Sequence, residues 1–486
     1  MADFKDVPGN SHGRGCGRHM SERAAQPVVT LQPSGAAPGP ATSTELAMSG
    51  YFRTQCATWS FDEFNHGLWM HLLPQTMHSI PPIWHACNAV GGVSWSTGSE
   101  TNMDNAVAER LRKESIRQYS LSVDLILKLT SCSVLSVEEQ TVILTGNVLL
   151  SSYSLYLPGR SYISIASLSC RLIRSWKFWE YVGSKPMSPL IMEVLYFFVK
   201  TEDILRDALF ITPQERGETW YEALYWLQQR PLESLMAAHV EIDMIWSSLH
   251  VLSSGLNHQS TKSEIESAYS QRSAFYQQFL AWETRFDALL SSSSATNKLR
   301  STALKVRQTL VFILLNVDHV TPDGTWNEVG WDAFHALFGK ALGLIESMLS
   351  LDESGSNLNA GQVGFSPSLW KSLNFISRAC RSPTLRRRAA DLLRLSIRSQ
   401  GGANDLVVDK VIEVEEKVWN DRRLEVECEA NSTCVPGKFI CNLHRVARVH
   451  AEHTDSLLTH FTFATMADIL NNRPGERASL QASIFS

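Results

Sequence analysis

Apolar residues recur every three or four positions along most of the chain after about residue 50, which is the spacing of one face of an α-helix. Within 105–130 they fall at Val107, Leu111, Ile116, Leu121, Leu125 and Leu129. Similar segments, bounded by capping residues and helix breakers, predict further helices at 138–157, 161–180, 188–200, 218–229, 231–252, 262–290, 297–316, 327–350, 366–380, 383–398, 405–419 and 439–470. Alternating patterns typical of strands are nearly absent, so the sequence predicts an all-α fold.

The connections between these predicted helices are short, and the chain shows no repeat of fixed period. We therefore expect antiparallel helix pairs stacked into one elongated array, an irregular α-superhelix, over residues 49–486. Residues 1–48 differ, because they are rich in Gly, Pro, Ser and Ala and carry no apolar periodicity. Such a composition buries too little apolar surface to fold, so this segment is expected to be disordered.

The charge and hydropathy of the chain bear on whether it binds nucleic acid or enters a membrane. The chain has 44 Lys and Arg against 49 Asp and Glu, a net charge of −5. A free-standing nucleic-acid binder usually has a basic excess, because neutralising phosphates supplies most of its non-specific affinity. The longest apolar run, 141–158, is interrupted by Gly146, Asn147 and several serines, so we expect no membrane span. The sequence thus favours neither direct DNA binding nor membrane insertion.

One short pattern is a candidate for catalysis. His319 and Asp323, in DHVTPDG, match the HxxxD motif of some acyltransferases, in which the histidine is a general base. The alternative is that a loop aspartate caps the helix that begins near Trp326. The chain contains no GxSxG, P-loop or GxGxxG sequence. We therefore assign no catalytic and no cofactor-binding residue, expect no cofactor, and predict that the protein is not an enzyme.

The richest set of potential metal ligands lies near the C-terminus, at Cys428, Cys434, Cys441, His444, His450 and His453. Cys441 and His444 could share one face of a helix. However, zinc ligands usually come as closely spaced pairs, and the gaps before Cys441 are five and six residues. We interpret the segment as a loop followed by an amphipathic helix that contains histidines, and we assign no metal ligand.

The stretch CRSPTLRRRAADLLR (380–394) holds five arginines and predicts a helix. Ser382 suits the N-cap, and Pro383 suits the first helical position. A period of 3.6 residues puts one apolar face at Leu385, Ala389, Leu392, Leu393 and Ile397. Two glycines at 401–402 can end this helix, so we expect an αα-hairpin with the helix that follows.

Arg386 interrupts this apolar face, and Glu415 interrupts the apolar face of the following helix in the same way. A buried guanidinium needs a carboxylate partner, because an unpaired charge in a core costs several kcal/mol. We therefore predict a structural ion pair between Arg386 and Glu415. The alternative is that Arg386 extends its alkyl stem along the apolar surface and reaches solvent.

Three of the other arginines are expected to face solvent. Arg387 and Arg394 lie on the polar face of the helix, with Asp391 four residues after Arg387 as a weak partner. Arg381 precedes the helix and is expected in a loop. Arg388 lies at the border between the two faces.

Three stretches, taken in order, carry family-like patterns. Residues 51–95 begin with YF and contain W-x-x-LLPQ followed by HA-x-x-A-x-G. Residues 112–173 contain an R-x-Y helix and a long apolar helix. Residues 365–419 contain CR-x-P-x-x-RR-x-A-x-x-LL and then an acidic I-E-x-E-E helix. Together these stretches resemble the regulatory region of fungal zinc-cluster transcription factors, the fungal-specific transcription factor domain.

The chain departs from that family pattern in two places. Members usually begin with a six-cysteine zinc cluster that contacts DNA, whereas the first 50 residues here contain only Cys16. The R-x-EG-x-W turn that commonly follows the arginine helix is RSQGGAN here, with Gln400 and Ala403 in place of the Glu and Trp. The resemblance therefore does not carry the family's DNA contacts over to this chain.

The resemblance implies an all-α regulator of transcription in the nucleus, of a kind often linked in fungi to secondary-metabolite gene clusters. We expect a coregulator-like protein that controls such a cluster through contacts with other transcription regulators or with a second copy of itself. A small-molecule effector is left open. One alternative is a full zinc-cluster transcription factor whose DNA-binding exon is missing from this sequence. Another is a helical biosynthetic enzyme that uses His319 and Asp323.

Overall fold

A computed structural model describes residues 38–56, 64–65, 67–97, 104–131, 134–154, 156, 161–182, 188–207, 219–256, 260–292, 297–318, 328–353, 367–397, 404–417, 434, 440–453 and 458–481. Helices dominate these residues, which confirms the predicted all-α class. In chain order they are α1 Ser43–Thr54, α2 Leu73–Thr76, α3 Pro81–Thr97, α4 Asn105–Thr130, α5 Val137–Ser154, α6 Ser161–Ser175, α7 Ser188–Asp207, α8 Tyr221–Leu227, α9 Leu235–Gly255, α10 Lys262–Ser292, α11 Lys298–Asn316, α12 His335–Glu353, α13 Pro367–Ala379, α14 Pro383–Ile397, α15 Asn404–Glu416 and α16 Met466–Leu470. A π-helical turn lies at Leu68–Leu72, and 3₁₀ turns lie at Phe178–Tyr181, Glu328–Phe334 and Asn442–His444.

The helices pack mostly against their neighbours in the chain. α3 contacts α4 and α5, α13 contacts α14, and α14 contacts α15, while α9 in the middle contacts α7, α10 and α11. The interior is one continuous set of buried apolar side chains that extends from Phe52 on α1 to Ile412 on α15. Burial of this interior is the main favourable term in folding, because each apolar side chain removed from water stabilises the fold.

The first helix begins earlier than the sequence predicts. Residues 1–37 of the expected disordered segment lie outside the described residues, but α1 starts at Ser43, inside that segment. Thr42 and Glu45 form a capping box: the Thr42 hydroxyl accepts from the Glu45 N–H at 3.2 Å, and Glu45 accepts from the Thr42 N–H at 2.8 Å. Met48 and Phe52 are then fully buried. The predicted boundary at residue 48 is wrong, because the Gly, Pro and Ala around 34–41 obscured this local capping signal.

The C-terminal part corrects the expectation of a domain that is helical throughout. The predicted helix 439–470 is instead a 3₁₀ turn, two strands and the short helix α16. The strands β1 Val446–His453, β2 Leu458–Thr465 and β3 Glu476–Gln481 form an antiparallel sheet in the order β1-β2-β3. Phe461 and Phe463 are buried on one face, which is the period-two alternation of a strand.

This small sheet packs on α15. Val411 and Val414 of α15 form a separate apolar cluster with Phe461 and Phe463 of β2. α15 therefore has two partners, because its Val408 and Ile412 belong to the main interior. The helix lies between the helical body and the sheet, so side chains at this junction determine how the two are joined.

Close packing of α1 on α3 depends on Gly91. A Cβ added at this position would lie 2.5 Å from the backbone oxygen of Met48, a contact that backbone cannot relieve cheaply. We expect Gly91→Ala to lower the free energy of unfolding by about 1–3 kcal/mol, the usual cost of overpacking, as measured by urea unfolding. The matched control is Gly339→Ala on α12, where a Cβ meets nothing within 4 Å. Helix propensity alone should make that variant about 0.5–1 kcal/mol more stable, so equal effects of the two substitutions would contradict the packing explanation.

Candidate functional site at the junction of α14, α15 and the C-terminal sheet

The arginine-rich stretch forms α14 with the predicted start. Pro383 is its first residue, and the N–H of Arg386 donates to the Ser382 carbonyl at 3.0 Å, which closes the first turn. Leu385, Ala389, Leu392 and Leu393 are buried, as the helical period predicts. The side chain of Ile397 lies outside the described residues. The apolar face packs α14 against α13, which fixes the backbone positions from which the arginine side chains extend.

The structure brings the two predicted site residues together. Arg386 has 0% of its side chain exposed, and its Nη2 donates to Glu415 Oε2 on α15. Arg386 Nε also donates to the Ser377 carbonyl of α13 at 2.9 Å. Burial lowers the pKa of the Arg386 guanidinium, and the charge of Glu415 opposes that shift. One buried arginine thus ties α13, α14 and α15 together, and it does not extend to solvent.

Glu415 has further partners that the sequence did not reveal. Its Oε2 also accepts from Arg445 Nη1 at 3.1 Å, and its Oε1 accepts from the N–H of Val446 at 2.9 Å. Arg445 is buried, and its Nη2 donates to the Arg378 carbonyl. Glu415 therefore accepts from two guanidiniums and from the first residue of β1, which connects the helical hairpin to the C-terminal sheet. We call Arg386, Glu415 and Arg445 the Glu415 junction.

Arg381 was expected to lie in an exposed loop, and this expectation is wrong. Its side chain has 0% exposure, and its Nη1 lies 3.2 Å from Asp332 Oδ2. Asp332 belongs to the 3₁₀ turn Glu328–Phe334, which brings a carboxylate to the start of α14. Burial raises the pKa of Asp332, and the positive charge of Arg381 opposes that shift. Tertiary packing has buried a residue whose local sequence indicated only a loop.

The three remaining arginines of the run also lie beside carboxylates. Arg387 is 63% exposed and pairs with Glu416 of α15, not with Asp391 as predicted. Asp391 pairs instead with Arg394 at 2.7 Å, one helical turn away. The pairs that involve the last two arginines are Arg388 with Glu346 and Arg394 with Asp409. All five arginines of 380–394 thus have an acidic partner within the chain.

A second set of buried charges lies in the middle of the helical body, and sequence reasoning missed it. Asp243 on α9 is fully buried; its Oδ2 lies 2.5 Å from Lys200 Nζ of α7, and its Oδ1 lies 3.0 Å from Arg307 Nε of α11. His239 Nε2 is 3.4 Å from Asp243 Oδ2, one turn away on the same helix. We call these four residues the Asp243 cluster. The available signal was a group of polar residues, His239, Glu241 and Asp243, inside a helix whose other residues in the first three turns are apolar.

The pH dependence of folding should report on His239. Burial lowers the pKa of His239 well below 6.5, and the charges of Lys200 and Arg307 lower it further, so the folded chain keeps this imidazole neutral beside Asp243. An unfolded histidine takes up a proton near pH 6.5. The unfolded state therefore binds more protons as the pH falls, and the free energy of unfolding should decline by up to about 1.4 kcal/mol per pH unit below that point.

The variant His239→Gln should remove this contribution between about pH 6.5 and pH 5.5, a range taken from the histidine reference value. The measurement is urea unfolding at a series of pH values, and the slope against pH is the readout, because the variant also changes stability at every pH. Equal slopes in the His239→Gln variant and the parent would contradict the prediction.

Three of the six potential metal ligands near the C-terminus lie together. Cys434, Cys441 and His444 place their ligand atoms within 4.8 Å of one another. Cys428 lies outside the described residues. His450 is an exposed residue of β1, and the side chain of His453 lies outside the described residues. The interpretation of this segment as a loop followed by an amphipathic helix is wrong, because β1 begins two residues after His444.

The HxxxD pattern, His319 and Asp323, also lies outside the described residues.

No family model matches the chain, and neither a curated protein nor a solved structure is significantly similar to it. In the part of the chain that the structure describes, none of the helices combines the length and apolar character that crossing a bilayer requires.

Proposed function

We propose that this protein is a regulator of transcription that acts through protein contacts in the nucleus and controls a fungal secondary-metabolite gene cluster. The observation that carries the proposal is the location of the family-like residues. The CR-x-P-x-x-RR-x-A-x-x-LL stretch and the I-E-x-E-E helix meet at the Glu415 junction, through Arg386 and Glu415. The most specific part of the resemblance therefore has a structural reason: these residues join α14 to α15.

Two features favour protein contacts over direct DNA binding. The net charge is −5, and each arginine of the 380–394 run lies beside a carboxylate of the chain. A guanidinium that neutralises an internal carboxylate is not free to displace counterions from phosphates, which is the main source of non-specific DNA affinity. The proposed partners are accordingly other transcription regulators or a second copy of the chain.

The apolar pocket between α9, α10 and α11 is too small to hold a small-molecule effector. This pocket, lined by Leu249, Leu252, Ala268 and Leu314, has a volume of about 20 Å³. That is roughly the space of one water molecule, whereas ligand sites commonly measure about 300–1,000 Å³. A second, polar groove of about 480 Å³ lies between α14 and α15, lined among others by Arg387, Arg394 and Glu413. Its size is within the range of ligand sites, so cavity volume does not decide between a small-molecule effector and protein contacts.

The decisive experiment tethers the chain to a reporter promoter through an unrelated DNA-binding domain. Under the proposal, the fusion changes reporter transcription, and deletion of the native gene changes transcripts of a linked group of genes. The purified chain alone should not retard duplex DNA at physiological salt. A tethered chain with no effect on the reporter, combined with unchanged transcripts after deletion, would remove the proposal.

The DNA-binding alternative makes an opposite prediction for two exposed arginines, Arg387 and Arg394. If α14 contacted phosphates, the double variant Arg387→Gln, Arg394→Gln would weaken DNA binding and reduce the salt dependence by about one unit of slope per lost contact. The matched control is Arg112→Gln on α4, where the arginine is 52% exposed. An in-frame six-cysteine segment in the transcript upstream of Met1 would also favour this alternative. The enzyme alternative instead predicts that His319→Ala abolishes a product while transcript levels stay unchanged.

A further inference from the structure

Three side chains of metal-ligand type meet where the helical body joins the C-terminal sheet. The Sγ of Cys441 lies 3.1 Å from Nδ1 of His444, and the Sγ of Cys434 lies 3.7 Å from the same nitrogen. Cys441 and His444 are buried, and Cys434 is partly buried. Two sulfurs and one imidazole nitrogen thus converge on one point in a protected environment.

These distances match the edges of a tetrahedral metal site. With zinc–sulfur bonds of about 2.3 Å and zinc–nitrogen bonds of about 2.0–2.1 Å, the sulfur and nitrogen ligands stand about 3.6 Å apart. The two observed sulfur–nitrogen distances, 3.1 and 3.7 Å, lie around that value. Cys434 and Cys441 are not joined to each other by a disulfide, so their approach has another cause. Binding of an ion at the centre requires Sγ of Cys441 and Nδ1 of His444 to move apart by about 0.5 Å from their separation of 3.1 Å.

The local backbone explains why Cys441 and His444 face the same way. The 3₁₀ turn Asn442–His444 follows Cys441, and the N–H of His444 donates to the Cys441 carbonyl at 3.2 Å. Side chains three residues apart are aligned in a 3₁₀ turn, so the C-x-x-H spacing presents a sulfur and a nitrogen together. Cys434, seven residues earlier in the chain, supplies the third ligand atom.

We propose that Cys434, Cys441 and His444 bind one zinc ion, which fastens the C-terminal sheet to the helical body. Two thiolates and an imidazole form a ligand set that suits zinc, whereas magnesium and calcium prefer oxygen ligands. Binding requires both thiols and the ligating nitrogen to be deprotonated, so the two thiol protons are released to solvent. The three side chains leave one position of the tetrahedron for a further ligand.

The location of the site gives the ion a structural role. His444 is followed directly by Arg445 and Val446, both of which donate to Glu415. Among the described residues, the separate apolar cluster between α15 and the sheet is small: four buried side chains, Val411, Val414, Phe461 and Phe463, with four partly buried ones packed against them. A small apolar contact leaves the sheet dependent on other attachments. The zinc ion and the Glu415 junction are two such attachments, located at adjacent residues.

A reactive cysteine is the main competing explanation, because a thiol next to an imidazole can act as a nucleophile. Cys441 and His444 are only 2% and 3% exposed, which keeps substrates away from the sulfur. Metal binding and nucleophilic reactivity differ in a simple readout. A zinc-bound thiolate should resist alkylation by iodoacetamide until a chelator is added, whereas a reactive cysteine is alkylated at once.

The test measures metal on the purified full chain, prepared without chelators and passed through gel filtration in metal-free buffer. We expect about one zinc per chain by plasma mass spectrometry, as for a single site. Cys441→Ser and His444→Ala should lose the zinc. Cys87→Ala, which removes a buried cysteine of α3, should keep it. His444→Cys should also keep it, because cysteine supplies another zinc ligand.

Cobalt substitution keeps the test decisive if a variant folds poorly. Cobalt in the parent chain should give strong visible bands of tetrahedral geometry and a thiolate charge-transfer band, and His444→Cys should strengthen the latter. Two results would overturn the proposal: well under one zinc in natively folded parent chain after incubation with zinc chloride, or equal zinc in the parent and Cys441→Ser. Either outcome is read on purified protein and is independent of any role in transcription.

Hydrogen exchange tests where the ion acts. Removal of zinc by a chelator should increase exchange of the β1 and β2 amides at least about tenfold, because the sheet loses an attachment. The amides of α9, in the middle of the helical body, should not change. Uniform loosening of the whole chain, or no change in the sheet, would contradict a local fastening role.

Discussion

Replacing Glu415 with alanine is expected to lower the free energy of unfolding by about 5 kcal/mol, at the upper end for removal of one member of a buried ion pair. The carboxylate accepts from Arg386 and Arg445 and from the N–H of Val446. Its loss leaves two buried guanidiniums without this acceptor, and it removes the acceptor of the N–H of Val446, the first residue of β1. Urea unfolding measures the total cost, and hydrogen exchange at Val446 should rise with it.

A matched pair of arginines controls for the loss of a long side chain. Arg386 and Arg388 are two residues apart on α14, and both pair with a glutamate. Arg386 is buried, whereas the Arg388 side chain is 40% exposed and its partner Glu346 is 37% exposed. We expect Arg386→Ala to cost about 3–5 kcal/mol and Arg388→Ala less than about 1 kcal/mol. Equal costs would show that burial does not govern these pairs.

The helical hairpin could be predicted because its information is local. A serine cap, a proline at the first position and a period of 3.6 residues define α14 within fifteen residues. The Arg386–Glu415 contact followed from two such helices taken together, since each apolar face carried one opposite charge at its centre. A contact between two helices that are adjacent in the chain can therefore be predicted from the sequence.

The C-terminal sheet could not be obtained in the same way. VARVHAEH and LTHFTFAT are each eight residues long, and their alternation competes with a helical spacing of the same apolar residues. What decides between the two is pairing of β2 with both β1 and β3, together with packing of Phe461 and Phe463 on α15. Arg445 was missed for the same reason, because its partner lies thirty residues earlier on a helix.

The Asp243 cluster lay beyond prediction because three separate helices supply it. Lys200, Asp243 and Arg307 are far apart in sequence, and α9 brings their helices together only in the folded state. Taken alone, each of these residues looks like an ordinary polar position at the border of a helix's apolar face, and nothing near it in the sequence indicates a buried partner. Arg381 is similar, since Asp332, in a 3₁₀ turn 49 residues earlier, supplies its carboxylate.

The second large effect is expected from Asp243→Asn, which keeps the shape of the side chain and removes its charge. Lys200 and Arg307 would then lose the carboxylate that lies 2.5 and 3.0 Å from them in the interior. We expect the free energy of unfolding to fall by about 3–5 kcal/mol, measured by urea unfolding. The control is Asp318→Asn, whose carboxylate lies 2.8 Å from Arg272 but is 61% exposed, and it should cost less than about 1 kcal/mol.

A second substitution, Lys200→Met, separates the effect of charge from the effect of packing. Its effect on the free energy of unfolding should have opposite signs in the parent chain and in the Asp243→Asn chain. In the parent chain it removes one cation from Asp243, and Arg307 remains within 3.0 Å of the carboxylate, so the variant should be destabilised. In the Asp243→Asn chain the same change removes a buried cation that has lost the Asp243 carboxylate, so stability should partly return. The difference between the two backgrounds is the coupling energy, which for contacting charges is about 0.5–3 kcal/mol. Equal costs in both backgrounds would mean that Lys200 and Asp243 contribute through packing alone, whatever their distance.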